Sequence, residues 1–122
     1  MERIQEFTRD GKNFIYIDFS EFKTNDEFLQ LTGTVKQTIS KYQENSLYTI
    51  TSIDNIRFDS CIKDTIAEYM KQNAPYVKYG TIIGLDGIKR ILANSIIKIS
   101  GRTNIHLAFS KEKAIEWLLQ QE

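Results

Sequence analysis

Apolar positions along this chain follow two alternating periods. Phe14-Ile15-Tyr16-Ile17-Asp18-Phe19 is short, aromatic and β-branched, and it follows the turn signal Asp10-Gly11, so the segment predicts a strand. The residues before the turn, about Glu2 to Thr8, are placed to pair with it as an antiparallel arm. Thr24 or Asn25 can cap a helix, and Phe28, Thr32, Val35, Ile39 and Tyr42 then recur at helical spacing.

The alternation continues to the end of the chain. Leu47 to Ile53 reads as a strand, and a helix opening at Asp59 carries Ile62, Ile66, Tyr69 and Met70 on one face until Asn73 and Pro75 stop it. Tyr76 to Gly84 is a third strand. Asp86 or Gly87 opens a helix whose buried stripe is expected to hold Ile88, Ile91, Leu92, Ile96 and Ile99, and Gly101 is suited to end it. Ile105, Leu107 and Phe109 alternate as a fourth strand, and Ser110 caps a last helix with Ala114, Trp117 and Leu118 inward.

Strands that alternate with helices of this length need crossover connections, which imply an α/β fold with a mainly parallel sheet. At 122 residues and 41% apolar content, residues 1–122 form a single domain, because one core can be built and no linker-like or repetitive stretch divides the chain. In such a sheet the loops that follow the strands share one end. That end is expected to gather ligand-facing positions Asp18, Ser20, Asp54, Asn55, Gly84, Asp86, Gly87 and Ser110, near helix N-termini. Asn45, Pro75 and the Gly101-Arg102-Thr103 turn belong to the other end, so Arg102 and Ser60 should not share a site.

Charge narrows the partners. Sixteen basic and sixteen acidic side chains give a formal net charge of zero, which argues against nucleic acid and against an anionic membrane surface. Residues 1–73 hold 9 basic and 12 acidic side chains, a net of −3, and residues 74–122 hold 7 and 4, a net of +3. This is either ordinary solvated surface or a basic face for an anionic head group or acidic partner. The lone Cys61 cannot form an internal disulfide and has no neighbour at metal-ligand spacing, so a cytoplasmic protein without a metal or other cofactor is expected. Charges at Glu2, Arg3, Glu6, Arg9 and Asp10 interrupt any signal-peptide core, and no apolar run reaches membrane-spanning length, so membrane insertion is not expected.

No catalytic set is visible, and the expectation is a protein that is not an enzyme. Ile83-Gly-Leu-Asp-Gly87 has two glycines at a strand-helix junction but lacks the third glycine of a dinucleotide loop and the Gly-Lys-Ser/Thr of a Walker loop. His106, the sole histidine, falls on the strand face opposite Ile105 and Leu107. Asp18 and Asp54 can meet at one end of the sheet to do acid/base work or hold a cation, or each can simply orient its own loop. Asp59-Ser60-Cys61 is a capping aspartate followed by small residues. Alternatively, Ser60 is a regulatory phosphorylation site, where added negative charge would face the positive end of a helix.

Phe14-Ile-Tyr-Ile-Asp-Phe-Ser20, Asn73-Ala-Pro-Tyr-Val-Lys-Tyr-Gly80, Gly101-Arg-Thr-Asn104 and Phe109-Ser-Lys-Glu-Lys-Ala-Ile-Glu-Trp-Leu118, in this order and spacing, resemble the small bacterial STAS-like domains related to anti-sigma-factor antagonists. That group is also compared with the CRAL-TRIO lipid-binding fold. The resemblance spans nearly the whole chain and implies a βα superhelical sheet with four helices and a non-catalytic regulatory role. Classical members carry a phosphorylatable serine in Asp-Ser-Ser-Gly; here the matching segment is Asp59-Ser60-Cys61-Ile62, without the second serine or the glycine. Two roles follow as expectations: a protein-interaction module with a specific, still unknown, protein partner, or a carrier or sensor of a lipid or small anion with an interior pocket. A homodimer is a further option, because an antiparallel first strand leaves an edge to cover.

Overall fold

The computed structural model describes residues 3–22, 24–54, 60–85 and 87–121, with the side chains of residues 25, 60–63, 88, 89 and 92 outside that description. Two strands, β1 (Ile4–Arg9) and β2 (Lys12–Asp18), form an antiparallel hairpin. Its turn places Asp10 and Gly11 at φ of 53° and 76°, the left-handed pair that matches the twist of a two-residue hairpin. From β2 the chain alternates through α1 (Asn25–Ile39), β3 (Leu47–Ser52), α2 (Ser60–Asn73), β4 (Val77–Ile83), α3 (Gly87–Ser100), β5 (Ile105–Leu107) and α4 (Lys111–Leu119). The sheet order is β1-β2-β3-β4-β5, and all pairs from β2 onward are parallel. The fold is a single-sheet α/β fold with an antiparallel first strand.

Both faces of the central strands are covered, which is why β2 and β3 read as near-continuous apolar runs. Ile15, Ile17, Leu47 and Ile53 pack on one face with Phe28, Val35 and Ile39 of α1 and Ala93 of α3. Ala67 and Met70 of α2 meet Ile96 of α3 above the same face. The opposite face carries Phe14, Tyr48, Ile50 and Ile83, closed by Ala114 and Leu118 of α4. Helix ends follow their signals. The Thr24 hydroxyl accepts from the Glu27 N–H, Ser110 accepts from Lys113, and Gly101 ends α3 at φ 75°.

A file of rings crosses the α4 face from one edge of the sheet to the other. Phe7 stacks on Phe14 at 5.1 Å, and Phe14 meets Tyr48 at 5.7 Å. Tyr48 then stacks on Tyr79 at 6.2 Å, Tyr79 meets Trp117 edge-on at 5.8 Å, and Trp117 lies flat on His106 at 4.4 Å. The register shift between Leu47 and Tyr48 makes this file continuous, because it sets Tyr48 opposite Tyr79 where an unbroken ladder would present Lys78.

Two expectations about burial are corrected. Ile91 and Ile99 are 68% and 52% exposed, because α3 lies at the side where the sheet narrows to the three-residue β5 and has little to cover its outer flank. Phe109 is 82% exposed and outside the strand. The last ladder bond there runs from the Ala108 N–H to the Ile82 carbonyl, so the alternation Ile105, Leu107 has no partner to continue against.

These burials separate two phenylalanines by their cost. Phe14→Ala should lower the unfolding free energy by about 3–5 kcal/mol, while Phe109→Ala should change it by no more than about 0.5 kcal/mol, read from urea denaturation of both variants.

Candidate functional site

The end of the sheet that follows the strands gathers most of the positions expected there. Asp18, at the end of β2, accepts hydrogen bonds from both the backbone N–H and the hydroxyl of Ser20, and so orients its own loop. Arg3 donates to the carbonyls of Asp18, at 3.0 Å, and Ser20, at 2.8 Å, and lies 4.1 Å over the Phe22 ring. Asp54 is exposed. Its carbonyl accepts from the Glu21 N–H, and its backbone nitrogen and carboxylate press against Gly84. Asp18 and Asp54 both bear on Tyr16, whose hydroxyl is pushed up first by burial, against an opposing Ser52 hydrogen bond, and then by these two carboxylates. The Lys111 ammonium sits 4.4 Å over the same Tyr16 ring. Gly87 opens α3 and Ser110 caps α4. Asn55, Asp59 and Asp86 lie outside the described residues, as does the side chain of Ser60, the first residue of α2.

Gly84 is the position at this end where a side chain cannot be placed. Its φ is 87°, and a Cβ there would lie 2.7 Å from the Asp54 backbone nitrogen. Strand β4 and the loop after β3 therefore touch backbone to backbone at Gly84, whereas nothing lies within 4 Å of a Cβ at Gly87.

The other end holds a different arrangement. Between the sheet and α1–α3 lies a cavity of about 60 Å³ with mostly apolar walls, among them Phe28, Ile39, Ile66, Met70, Ile96 and Ile105. The polar lining residues are Arg102, Tyr69 and Asn73, together with Thr49, Thr51 and Thr81 of the sheet. The Arg102 Nε–H donates to Asn104 Oδ1 at 3.0 Å and Nη1–H to the Met70 carbonyl at 3.0 Å, in the last turn of α2. Nη2 is buried with no partner among the described residues. Asn104 is itself fixed by donating to the carbonyls of Val77 and Lys78, where the β3–β4 register slips. The bulge thus aims Asn104, and Asn104 aims Arg102.

The electrostatics of this wall favour donors. Burial lowers Arg102 from its ordinary value, partly opposed by the Tyr69 phenol beside it. The Tyr69 ring keeps some exposed surface, but its hydroxyl is enclosed; burial raises it strongly, against smaller opposing effects of Arg102 and of a hydrogen bond with Asn73. Near neutral pH the wall therefore presents a guanidinium and a neutral phenol. No Asp or Glu among the described residues forms a salt bridge with Arg102; the ion pair found there, Lys113–Glu116, is an exposed pair on α4. The C-terminus of α2 supplies partial negative charge through Met70.

Sequence reading places Arg102 at the correct end and apart from Ser60. Ten residues of α2 separate Ser60 from Met70, about 15 Å along the helix axis. It misses that Arg102, Tyr69, Asn73 and Asn104 converge. Tyr69 and Asn73 are one helical turn apart, which is a visible signal, but nothing in Gly101-Arg102-Thr103 distinguishes a buried guanidinium from a solvated turn. Among the described residues, no group of three or more His, Cys, Asp or Glu side chains is placed to hold a metal ion, and no helix is long and apolar enough to cross a membrane. Comparison with protein-family models, curated proteins and solved structures finds no match.

Two outcomes test this geometry. Gly84→Ala should destabilise the domain by about 1–3 kcal/mol through strain at positive φ, whereas Gly33→Ala, in helix α1 with nothing near its missing Cβ, should stabilise it by about 0.5–1 kcal/mol; urea midpoints of the pair decide. Alkaline pH is the second test. Tyr42 donates to Glu6 at 2.6 Å, and that bond, with burial, pushes its hydroxyl up to about 12; Tyr69 and Tyr16 are also raised. The unfolded chain releases these protons near pH 10 while the folded chain keeps them, so their stabilisation is complete below pH 10 and is lost as pH rises beyond it. Tyr42→Phe should flatten the fall in denaturation midpoint between pH 10 and about 12.

Proposed function

We propose that this domain is a binding module and not an enzyme: a carrier or sensor that holds a small anionic ligand between the sheet and α1–α3. The observation that carries this reading is the half-buried guanidinium of Arg102, which meets no carboxylate among the described residues, in the wall of a mostly apolar cavity. A fixed cation, a neutral phenol and an amide are groups that recognise and retain an anion, while the apolar remainder of the wall accepts the rest of the molecule. The sequential βα order agrees with the architecture implied by the resemblance to STAS-like domains, and a non-catalytic role is consistent with it.

A second reading, a regulatory protein-interaction module of the STAS-like type, draws on a separate observation. Phe109 is held out at the surface with the Arg90 guanidinium 4.9 Å over its ring, and the exposed Ile91 is on the same helix as Arg90. Large exposed apolar side chains grouped with an arginine are what partner surfaces use. Ser60, at the start of α2, is the modification site this reading would test.

Native mass spectrometry of the protein purified gently from its own cells discriminates the two. The carrier reading expects a reproducible extra mass of one small molecule per chain that is lost on denaturation. An apo chain in repeated preparations, paired with a protein partner whose binding changes in Ser60→Ala, would support the interaction module in its place.

A further inference from the structure

The two edges of the sheet are unlike. β5 is three residues long, too short to template another strand. β1 runs for six residues, Ile4–Arg9, in unbroken register with β2, without a proline or a bulge, and β2 is its one neighbour in the sheet among the described residues. Gln5, Glu6, Thr8 and Arg9 are exposed, and Ile4 and Phe7 are half-buried. We propose that β1 pairs antiparallel with β1 of a second copy of this chain, about a two-fold axis through Phe7, so that two five-stranded sheets become one.

The backbone has the parity this needs. The Asp18 N–H donates to the Arg3 carbonyl at 2.8 Å, which makes Arg3 and Asp18 a hydrogen-bonded pair of the hairpin, and alternation gives Gln5, Phe7 and Arg9 the same role. The N–H and C=O groups of Ile4, Glu6 and Thr8 therefore point outward along the edge. With the axis on Phe7, Glu6 of each copy lies opposite Thr8 of the other, and these outward groups bond one another.

Side chains select the register and the occupant. Opposed side chains of an antiparallel pair share a face, which puts the two-fold axis on a residue and not between two. An axis on Glu6 sets two carboxylates against each other, one on Thr8 sets Glu6 against Asp10, and one on Gln5 sets Ile4 against Glu6. The axis on Phe7 avoids all three conflicts and sets Gln5 against Arg9, an amide oxygen beside a guanidinium. Glu6, the charge that would guard the edge, is drawn back over its own chain by the Tyr42 hydroxyl at 2.6 Å. Phe7 stacks on Phe14 at 5.1 Å and ends the ring file, with no further ring beyond it. A second Phe7 continues that file, so this edge fits another copy of itself better than an unrelated strand. The pairing is isologous and leaves only the short β5 edges, so assembly stops at two chains. Ile4–Arg9 contribute nothing to the cavity wall, and the pairing stands or falls apart from the carrier reading.

Sedimentation equilibrium of the full chain from about 5 to 500 μM, a range that spans weak to moderately tight association, is the test. A reversible monomer–dimer equilibrium without larger species is expected. Thr8→Pro removes an outward N–H and no backbone bond of the hairpin, and should weaken the dimer at least about tenfold with the circular dichroism spectrum retained. Gln5→Arg, a like charge facing Arg9, should weaken it about three- to tenfold, and Gln5→Glu should strengthen it by a similar factor, because the contact occurs twice per dimer. A chain that stays monomeric throughout the range overturns the proposal, as does a dimer undiminished in a folded Thr8→Pro. Loss of affinity in Gln5→Glu overturns the Phe7 register. If Thr8→Pro does not fold, the two Gln5 variants decide: opposite responses support pairing through β1, and equal responses reject it.

Discussion

Each step from β2 to β5 carries the chain to the neighbouring strand through one helix. Crossovers of one hand, repeated in one direction, lay every connecting helix on the same face of the sheet. Three helices therefore crowd one side, and only α4, which follows the last strand, is free to close the other. The fourteen- and fifteen-residue helices of the crowded side cover a wide area, and between them and the sheet lies the space lined by Phe28, Met70 and Ile96. On the far side a single nine-residue helix cannot span five strands. The ring file from Phe7 to His106, which includes Trp117 of α4 itself, extends the packing to both edges of the sheet.

Parallel connection also sorts polarity. All helix N-termini point to the end with Asp18, Ser20, Asp54 and Gly84, and their C-termini to the end with Arg102. A cation at the second end meets carbonyls by default, which explains the Arg102–Met70 bond without reference to a ligand. What capping leaves over is Nη2, which has no partner among the described residues.

Much of this was legible because apolar spacing is a direct consequence of which face is covered. Val35 and Ile39 announce α1, and Phe14 to Ile17, buried on both faces, announce a central strand. The failures mark places where burial depends on what the sheet has left to offer. Ile91 and Ile99 sit at helical spacing, yet their outer flank faces a three-residue edge strand; Phe109 continues a period of two after its pairing partner has ended. The cavity wall was hidden for a related reason. Asn104 gains its role from a one-residue slip between β3 and β4, and such a slip exists only once the strands are paired.

The attachments of Arg102 have a bearing on opening as well as place. Met70 is in the final turn of α2 and Asn104 is in the turn before β5, so both anchors belong to element ends, the parts of a fold that open at least cost. Asn104 is tied to β4 by its amide on the Val77 and Lys78 carbonyls and by the Gly80 N–H on its own carbonyl, so moving the charged wall costs these bonds while the β2–β3 and β3–β4 ladders stay paired. Opening the interior to solvent there needs only the local loss of those bonds and not the far costlier unfolding of the sheet.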